Sequence, residues 1–345
     1  MREFVAKQAD RQRWIDIYKG LAIILVVLGH LEIPGWLYDF IFLFHMYAFF
    51  FIAGVTFKVK QEQTFGMFFL DNVKKLYVPY LFFAFAWDAV HIVTTLYIQG
   101  NFDFSFGAIC KNILSVLLGG AIPSNAELGP AWFLLALFVV RVVCWLIVKC
   151  TKGNCYIFGV IAAVLFAIGY ICPNTAYVPF KIIPTFTAYV FVFLGYTLKK
   201  LLQTFTAKKI TLLLLSIVCF GVVAIVSVFS EGTVVLVGNI LPANFMVTLI
   251  GGILGCAGLM FLSFLLARVP KISDLLMFYG VNSLIIMGVH SEINFALRFV
   301  FDKIGLAQIY RVIAIFLITL VFVIPISKII NKYFPALAGR GKSKV

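Results

Sequence analysis

Charge is scarce in this sequence. Asp, Glu, Lys and Arg together make up 12% of its 345 residues, against about 25% in an ordinary soluble domain. Acidic side chains are the scarcer half, 14 against 28 basic ones. Long polar stretches are missing as well, so no loop is large enough to be a separate soluble domain. In their place the chain is 63% hydrophobic with a mean hydropathy of +1.07, where soluble proteins run at about 45–50% apolar. This composition excludes soluble globular, disordered and fibrous proteins. It leaves an integral membrane protein whose membrane part is nearly the whole chain.

Two further absences narrow the class. A transmembrane β-barrel alternates apolar and polar residues over about ten positions, whereas a run such as Leu212 to Phe229 is apolar all round. The spans are therefore helices. The seven cysteines (Cys110, Cys144, Cys150, Cys155, Cys172, Cys219 and Cys256) include no Cys-x-x-Cys and no Cys/His pairing at zinc spacing, so they read as small apolar packing residues and no metal site is expected. The apolar run from Ile15 to Leu31 imitates a signal peptide. It carries Lys19 inside it, however, and leads into Gly29, His30 and Glu32 without a small-x-small cleavage site, so it reads as a retained first helix.

What is present is a series of about ten helical spans, at 14–32, 38–58, 77–98, 131–149, 155–171, 181–199, 210–229, 247–266, 277–299 and 308–331. Between the third and fourth, the stretch 99–130 contains a candidate interfacial helix over Phe104 to Leu118, broken off by Gly119, Gly120, Pro123, Gly129 and Pro130. The net charge of +14 raises the question of a nucleic-acid partner, and its distribution decides against one. With the N-terminus inside, 21 of the 28 Lys and Arg residues fall in cytoplasmic segments, including the tail 332–345. Five fall outside (Lys111, Lys181, Arg298, Lys303 and Arg311), and Lys19 and Arg141 lie within spans. This is the positive-inside pattern. The expected fold is all-α: one polytopic transmembrane domain over 1–345 with both termini cytoplasmic. No tandem repeat and no pair of matching broken helices marks it as an inverted-repeat transporter.

Ionisable groups in hydrocarbon cost about 2.5–3.5 kcal/mol each on insertion scales, so every one retained is a functional candidate. They are Lys19, His30, Glu32, Asp39, His45, Asp88, His91, Arg141, His290 and Glu292. Given the helix directions, all four histidines fall in the outer half of the membrane, and Lys19 and Arg141 lie deeper, toward the cytoplasm. Lys19 and His30 are separated by about three turns, roughly 16 Å along one face. A negatively charged ligand entering from the cytoplasm would meet Lys19, Arg141 and the basic turn Lys58, Lys74 and Lys75, and its far end would reach the imidazoles. Acyl-coenzyme A has that shape and charge, and imidazole is suited to accept a proton from a hydroxyl at neutral pH. Structural readings stand beside these: Lys19 paired with Asp16 or snorkelling, His45 packed in the aromatic run Phe42 to Phe51, and Asp88 and His91 neutralising each other.

These residues resemble a known family. Ile15-Asp16-Ile17-Tyr18-Lys19-Gly20 through Val26-Val27-Leu28-Gly29-His30 is similar to the first helix of the acyltransferase-3 family, marked by a basic residue, ten residues and then histidine. Lysine stands here where arginine is commoner, a variant that resembles the branch of fucose 4-O-acetylases and Gram-positive polysaccharide acyltransferases. Phe44-His45-Met46 with Phe49-Phe50-Phe51-Ile52-Ala53-Gly54, then Gly129-Pro130-Ala131-Trp132-Phe133-Leu134, then Asn282-Ser283-Leu284 with His290, follow in the same order. The resemblance implies O-acylation, usually O-acetylation, of a carbohydrate or lipid-linked glycan at the outer face of a bacterial inner membrane, with cytoplasmic acetyl-CoA as donor. It implies catalytic roles for Lys19, His30, His45 and, more weakly, His290. Donor binding falls to Lys19, Arg141, Lys58, Lys74 and Lys75. Trp132 and Tyr47 are candidates for stacking on a sugar, and Glu32 and Glu127 for contact with its hydroxyls. The extracytoplasmic esterase-like domain and the racemase domain found in some relatives are not seen in this sequence. Membrane lipids and a second copy of the chain are further expected partners. The rival is a proton-coupled transporter or flippase of a glycan intermediate or amino acid, which needs no acyl-CoA, and a third reading is a membrane anchor for a biosynthetic complex.

Overall fold

The computed structural model describes residues 2–60, 62–100, 102–172, 178–230 and 232–339. The end of the basic tail, including Arg340, Lys342 and Lys344, and the centre of the outer segment 172–180 lie outside the described residues. Fifteen α-helices follow in order: α1 (Arg2–Gly29), α2 (Gly35–Phe42), α3 (His45–Thr56), α4 (Phe65–Asn72), α5 (Val78–Gln99), α6 (Phe106–Leu117), α7 (Trp132–Cys150), α8 (Cys155–Ile171), α9 (Ile182–Phe186), α10 (Tyr189–Thr204), α11 (Lys209–Val228), α12 (Phe245–Leu266), α13 (Pro270–Val281), α14 (Ser283–Ile304) and α15 (Gln308–Tyr333). Among the described residues there is no strand beyond a single bridge between Val235 and Ile240.

The helix starts are written into the sequence. Thr64 accepts from the Met67 N–H (3.3 Å) to cap α4, Ser105 from the Ala108 N–H (3.3 Å) to cap α6, and Asn154 from the Tyr156 and Ile157 N–H groups (2.9 and 3.3 Å) to cap α8. The helix expected within Phe104 to Leu118 is thus α6, entered through its serine cap.

The protein is an all-α polytopic membrane protein. Seven helical stretches among the described residues are long and apolar enough to cross a membrane, or eight when the bent pair Pro179–Phe186 and Tyr189–Thr204 is taken as one span. All ten expected spans coincide with helix. Of the two that fall short, α8 is 17 residues long, and the membrane half of α1 carries Arg13, Asp16 and Lys19 within eighteen residues. Three expected spans are broken: 38–58 between α2 and α3, 181–199 by a 67° bend between α9 and α10, and 277–299 at Asn282 between α13 and α14. Each break adjoins a polar residue, His45, Thr187 or Asn282, that apolar periodicity alone cannot reveal.

The chain divides into two compact units. The first contains α1 to α3 and α10 to α13. In it α1 packs on α13, α3 on α10 and α11 on α12. Two of these contacts are backbone against backbone. A Cβ placed on Gly20 would lie 2.1 Å from the Leu276 carbonyl oxygen, and one on Gly280 would lie 1.7 Å from that of Asp16. Gly54 and Gly195 make the same reciprocal approach, with would-be Cβ atoms 2.1 and 2.0 Å from the Val192 and Phe51 oxygens. Small residues bring membrane helices together in this way because no hydrophobic force acts between them in lipid. The buried stripe of α1 is Ile17, Tyr18, Ala22, Ile23, Val26 and Val27, while Leu214, Ile217, Val218 and Ile225 of α11 turn outward, as a lipid-facing surface does.

The second unit contains α4 to α9, α14 and α15. Helices α4 and α5 join through a π-helical turn, Val73–Tyr77. Tyr77 donates to the Leu117 carbonyl at 2.9 Å, and Tyr80 donates to that of Val116, which ties α6 to α5. Gly288 of α14 sits over the Phe83 ring of α5, leaving no room for a side chain.

Candidate functional site

In the first unit the Lys19 ammonium lies 2.6 Å from the Asp16 carboxylate, one turn back on α1, both partly exposed. The reciprocal glycine contact at Gly20 and Gly280 fixes this turn against α13, and Arg13 adds an ion pair to Asp274 at 2.8 Å. Lys19 is thus held in place by its partner rather than presented as a bare cation. At the other end of α1 the chain leaves the helix at Gly29, whose would-be Cβ is 2.9 Å from the Phe42 ring. His30 follows directly. The Phe42 ring also lies 4.5 Å, centroid to centroid, from His45, the first residue of α3. The end of α1 and the break between α2 and α3 therefore meet around one aromatic ring, with His30 and His45 within electrostatic reach of each other.

Both imidazoles are anchored alike. His30 Nδ1 is 2.9 Å from the Val26 carbonyl and His45 Nδ1 is 2.9 Å from that of Ile41, each four residues back. A carbonyl oxygen only accepts, so Nδ1 must donate, and in the neutral ring Nε2 carries the lone pair. The backbone thus selects the tautomer in which Nε2 is the base.

His290, in the second unit, shows the same device. Its Nδ1 faces the Ile286 and Met287 carbonyls at 2.9 and 3.1 Å, but Ser291 Oγ lies 3.3 Å from Nε2, and the ring is fully buried. Three of the four histidines are therefore tautomer-locked. No spacing rule signals this in advance, because any residue four positions back supplies the carbonyl.

Arg141 of α7 is oriented by Asn72: its Nε donates to Oδ1 at 2.7 Å, while Asn72 Nδ2 donates to the Phe68 carbonyl at 2.7 Å. Asn72 was missed in the sequence, although a lone amide in the run Phe65 to Tyr80 was its visible signal. It is 1% exposed and immediately precedes the π turn, a helix irregularity frequent at functional sites. Lys74 and Lys75 lie on that turn, exposed, with Lys75 paired to Asp71 at 2.8 Å. Lys58 is exposed at the end of the first unit's opening segment.

The acceptor-side candidates separate into two groups. Tyr47 is buried and stacked on Phe191 (4.1 Å), and Trp132 is buried with its edge toward Phe133 (6.2 Å). Both are core residues in this state. Glu32 is half-buried in the turn before α2. Glu127, by contrast, lines a cavity of about 470 Å³ in the second unit together with His91, Thr95, Phe102, Asp103, Ser124 and Asn125. Glu127 faces His91 at 3.7 Å, accepts from Trp87 Nε1 at 3.4 Å, and donates its backbone N–H to Asp88 at 3.1 Å. His91 thus has Glu127 as its facing carboxylate, and Asp88 serves to hold the 127 loop. The Asp103 carboxyl accepts the Ser105 N–H at 2.8 Å, and the Ser105 hydroxyl adds to it, so its pKa lies below the usual carboxylate range. The cavity mixes carboxylate, amide, hydroxyl and imidazole with one aromatic side chain. All of its lining belongs to the end of α5 and the segment 102–127, part of the stretch expected to face outward.

Among the described residues no group of three or more His, Cys, Asp or Glu side chains is placed to hold a metal ion. Comparison with curated proteins finds no match. A family model described as an acyltransferase domain, that of the acyltransferase-3 family, matches residues 12–329, nearly the whole chain and both of its units. The match begins just before Arg13, takes in the Lys19 to His30 helix, and ends within α15; the chain belongs to the acyltransferase-3 family and is a membrane acyltransferase.

Proposed function

We propose that this membrane acyltransferase moves an acetyl group from acetyl-CoA, bound at its cytoplasmic side, to a hydroxyl of a cell-surface or lipid-linked carbohydrate at the outer face of a bacterial inner membrane. The observation that carries the reading is the paired anchoring of His30 and His45, which turns the basic nitrogen of each ring away from its own helix backbone. His30 Nε2 takes the proton of the acceptor hydroxyl as that oxygen attacks the thioester carbonyl. The new C–O bond forms, the C–S bond breaks, and the thiolate leaves with a proton as CoA. His45 orients the acceptor or relays the proton. Lys19, held by Asp16, and Arg141, held by Asn72, supply positive charge for the nucleotide end of the donor, with Lys58, Lys74 and Lys75 at its entrance. Within the second unit, the polar cavity around Glu127 and His91 offers planar polar groups with an aromatic side chain, which suit a sugar ring. His290, with Nδ1 on the Ile286 carbonyl, is a further candidate for proton relay.

The experiment is CoA-thiol release from acetyl-CoA by the purified protein in lipid nanodiscs, with and without cell-envelope glycan extract. Wild type is expected to release thiol. His30→Ala and Lys19→Ala should lose at least about 100-fold, the scale of a missing general acid–base group. Absence of release and of acetyl-CoA binding from folded wild-type protein would overturn the reading.

A further inference from the structure

Buried side chains hold one wall of the polar cavity in the second unit. That wall is the loop 124–127, and three helix residues pin the loop and its approach. Ser115 donates its hydroxyl to the Ile122 carbonyl at 3.0 Å, Asn112 accepts the Asn125 N–H at 3.1 Å, and Asp88 accepts the Glu127 N–H at 3.1 Å. Ser115, Asn112 and Asp88 are 1%, 7% and 6% exposed. Polar groups are costly to bury unless hydrogen-bonded, so a loop tied down by three of them is preorganised rather than adaptable. The charged groups on the cavity are fixed as well. Glu127 turns one carboxylate oxygen to the Trp87 indole N–H at 3.4 Å and the other to His91 at 3.7 Å. Asp103 accepts the N–H of Ser105 at 2.8 Å, the same serine that caps α6.

The sign of that charge sets what the cavity admits. The chain has 28 basic side chains against 14 acidic ones, yet Asp103 and Glu127 line the cavity and no Lys or Arg does. Elsewhere carboxylates are matched: Asp16 with Lys19, Asp71 with Lys75, Asp274 with Arg13 and Asp302 with Arg311. Among the described residues neither Asp103 nor Glu127 pairs with a Lys or Arg. Lys111 is near enough to favour the ionised Asp103, but it is exposed and stands outside the lining. Two fixed carboxylates repel a phosphate, sulfate or uronate and attract an ammonium group. Phe102 adds an aromatic surface, which also favours a cation. Small-ligand pockets run from about 300 to 1,000 Å³, and at about 470 Å³ this one has room for a sugar ring. Thr95, Ser124 and Asn125 supply hydroxyl and amide groups for the hydroxyls of such a ring.

We infer that this cavity binds a sugar bearing a free amine, its ammonium group held by Asp103 and Glu127 and its hydroxyls by Thr95, Ser124 and Asn125. The inference rests on the reading of the cavity as a sugar site. Acyl transfer does not enter it and its test uses no acyl donor, so its failure leaves the outcome of the CoA-thiol release experiment open. Full-length protein in maltoside micelles at pH 7 and constant ionic strength is melted against glucosamine, N-acetylglucosamine and ethanolamine. Glucosamine should give a saturable rise in melting temperature of about 2 °C or more. N-acetylglucosamine keeps the ring and loses the charge, ethanolamine keeps the charge and lacks the ring, and both should give little or no rise. Asp103→Asn and Glu127→Gln keep the acceptors for the Ser105 N–H and the Trp87 indole while removing the charge, and each should weaken glucosamine binding by about tenfold. Asp302→Asn, which removes an exposed carboxylate outside the lining, should keep the full response. A wild-type melt indifferent to glucosamine overturns the inference. So does an equal rise with N-acetylglucosamine or with ethanolamine, or an undiminished response in both charge-removing variants. The comparison of the three ligands on wild type decides the matter even where a variant fails to fold.

Discussion

At the scale of single residues, the polar groups that matter are those whose geometry is set by a neighbour. Asn72 is the sharpest case. Its amide satisfies the Arg141 guanidinium on one side and a helix carbonyl on the other, in a site that water does not reach. Asn72→Leu keeps the volume and removes both bonds. A hydrogen bond to a charged group contributes about 1.5–3 kcal/mol, and a stranded donor costs more than the bond was worth. The variant is expected to unfold several degrees earlier in a thermal melt and to bind acetyl-CoA more weakly, while Asp71→Asn one residue away leaves the melt within a degree or two. Equal melts for wild type and Asn72→Leu would mean that Arg141 is positioned by other contacts. The sequence exposed the ionisable members of these networks well: Lys19, His30, His45, Arg141 and His290 all stand out against an apolar background. It did not expose their partners, because Asn72 is an ordinary amide and the carbonyls of Val26, Ile41 and Ile286 belong to the backbone. Nor could it place Tyr47 and Trp132, whose amphipathic rings suit a sugar, an interface or a core equally well.

At the scale of elements, hydropathy located the helices but not the breaks within them. A run of apolar residues looks the same whether its helix is continuous, as in α12, or interrupted, as between α2 and α3. The interruption between α2 and α3 is what frees His45 to begin a helix. What the elements do share with the sequence is glycine placed where helices touch. Ala at Gly20 or Gly280 would put a methyl group about 2 Å from a carbonyl oxygen of the facing helix. Either change should push α1 from α13, lower the melting temperature markedly and disturb the Lys19–Asp16 pair. Gly66, on α4, has nothing within 4 Å of a would-be Cβ, and Gly66→Ala should hold or raise stability by about 0.5–1 kcal/mol through helix propensity. If Gly20→Ala and Gly66→Ala melted alike, the close helix contact would have to be discarded.

For the whole molecule, the distribution of charge predicts an orientation in the membrane, and native cysteines can test it. Cys110 on α6, and Cys150 and Cys155 on either side of the turn between α7 and α8, are all exposed. Positive-inside reasoning puts the first outside and the other two in the cytoplasm. In intact cells a membrane-impermeant maleimide should label Cys110 and spare Cys150 and Cys155 until the cells are permeabilised. Reversed labelling would invert the expected topology and overturn the proposed cytoplasmic entry of the donor. The division into two units was not legible, because the boundaries at Lys58, Ala188 and Ser283 fall in or beside helices and carry no linker composition.

The π turn at Val73–Tyr77 has one more consequence. A π turn takes up a residue that an α-helix of the same length would not need, so the polypeptide here tolerates a surplus that only its surroundings justify. Losing one residue from this stretch would let the helix relax to regular winding with its flanks in register, whereas losing two, or gaining one, would rotate everything before it by about 100° relative to α5. Asn72 would then face away from Arg141 although no contacting side chain had been altered. In this region the reading frame of the helix, rather than the identity of its residues, sets the geometry of the site, and length should prove less negotiable than composition.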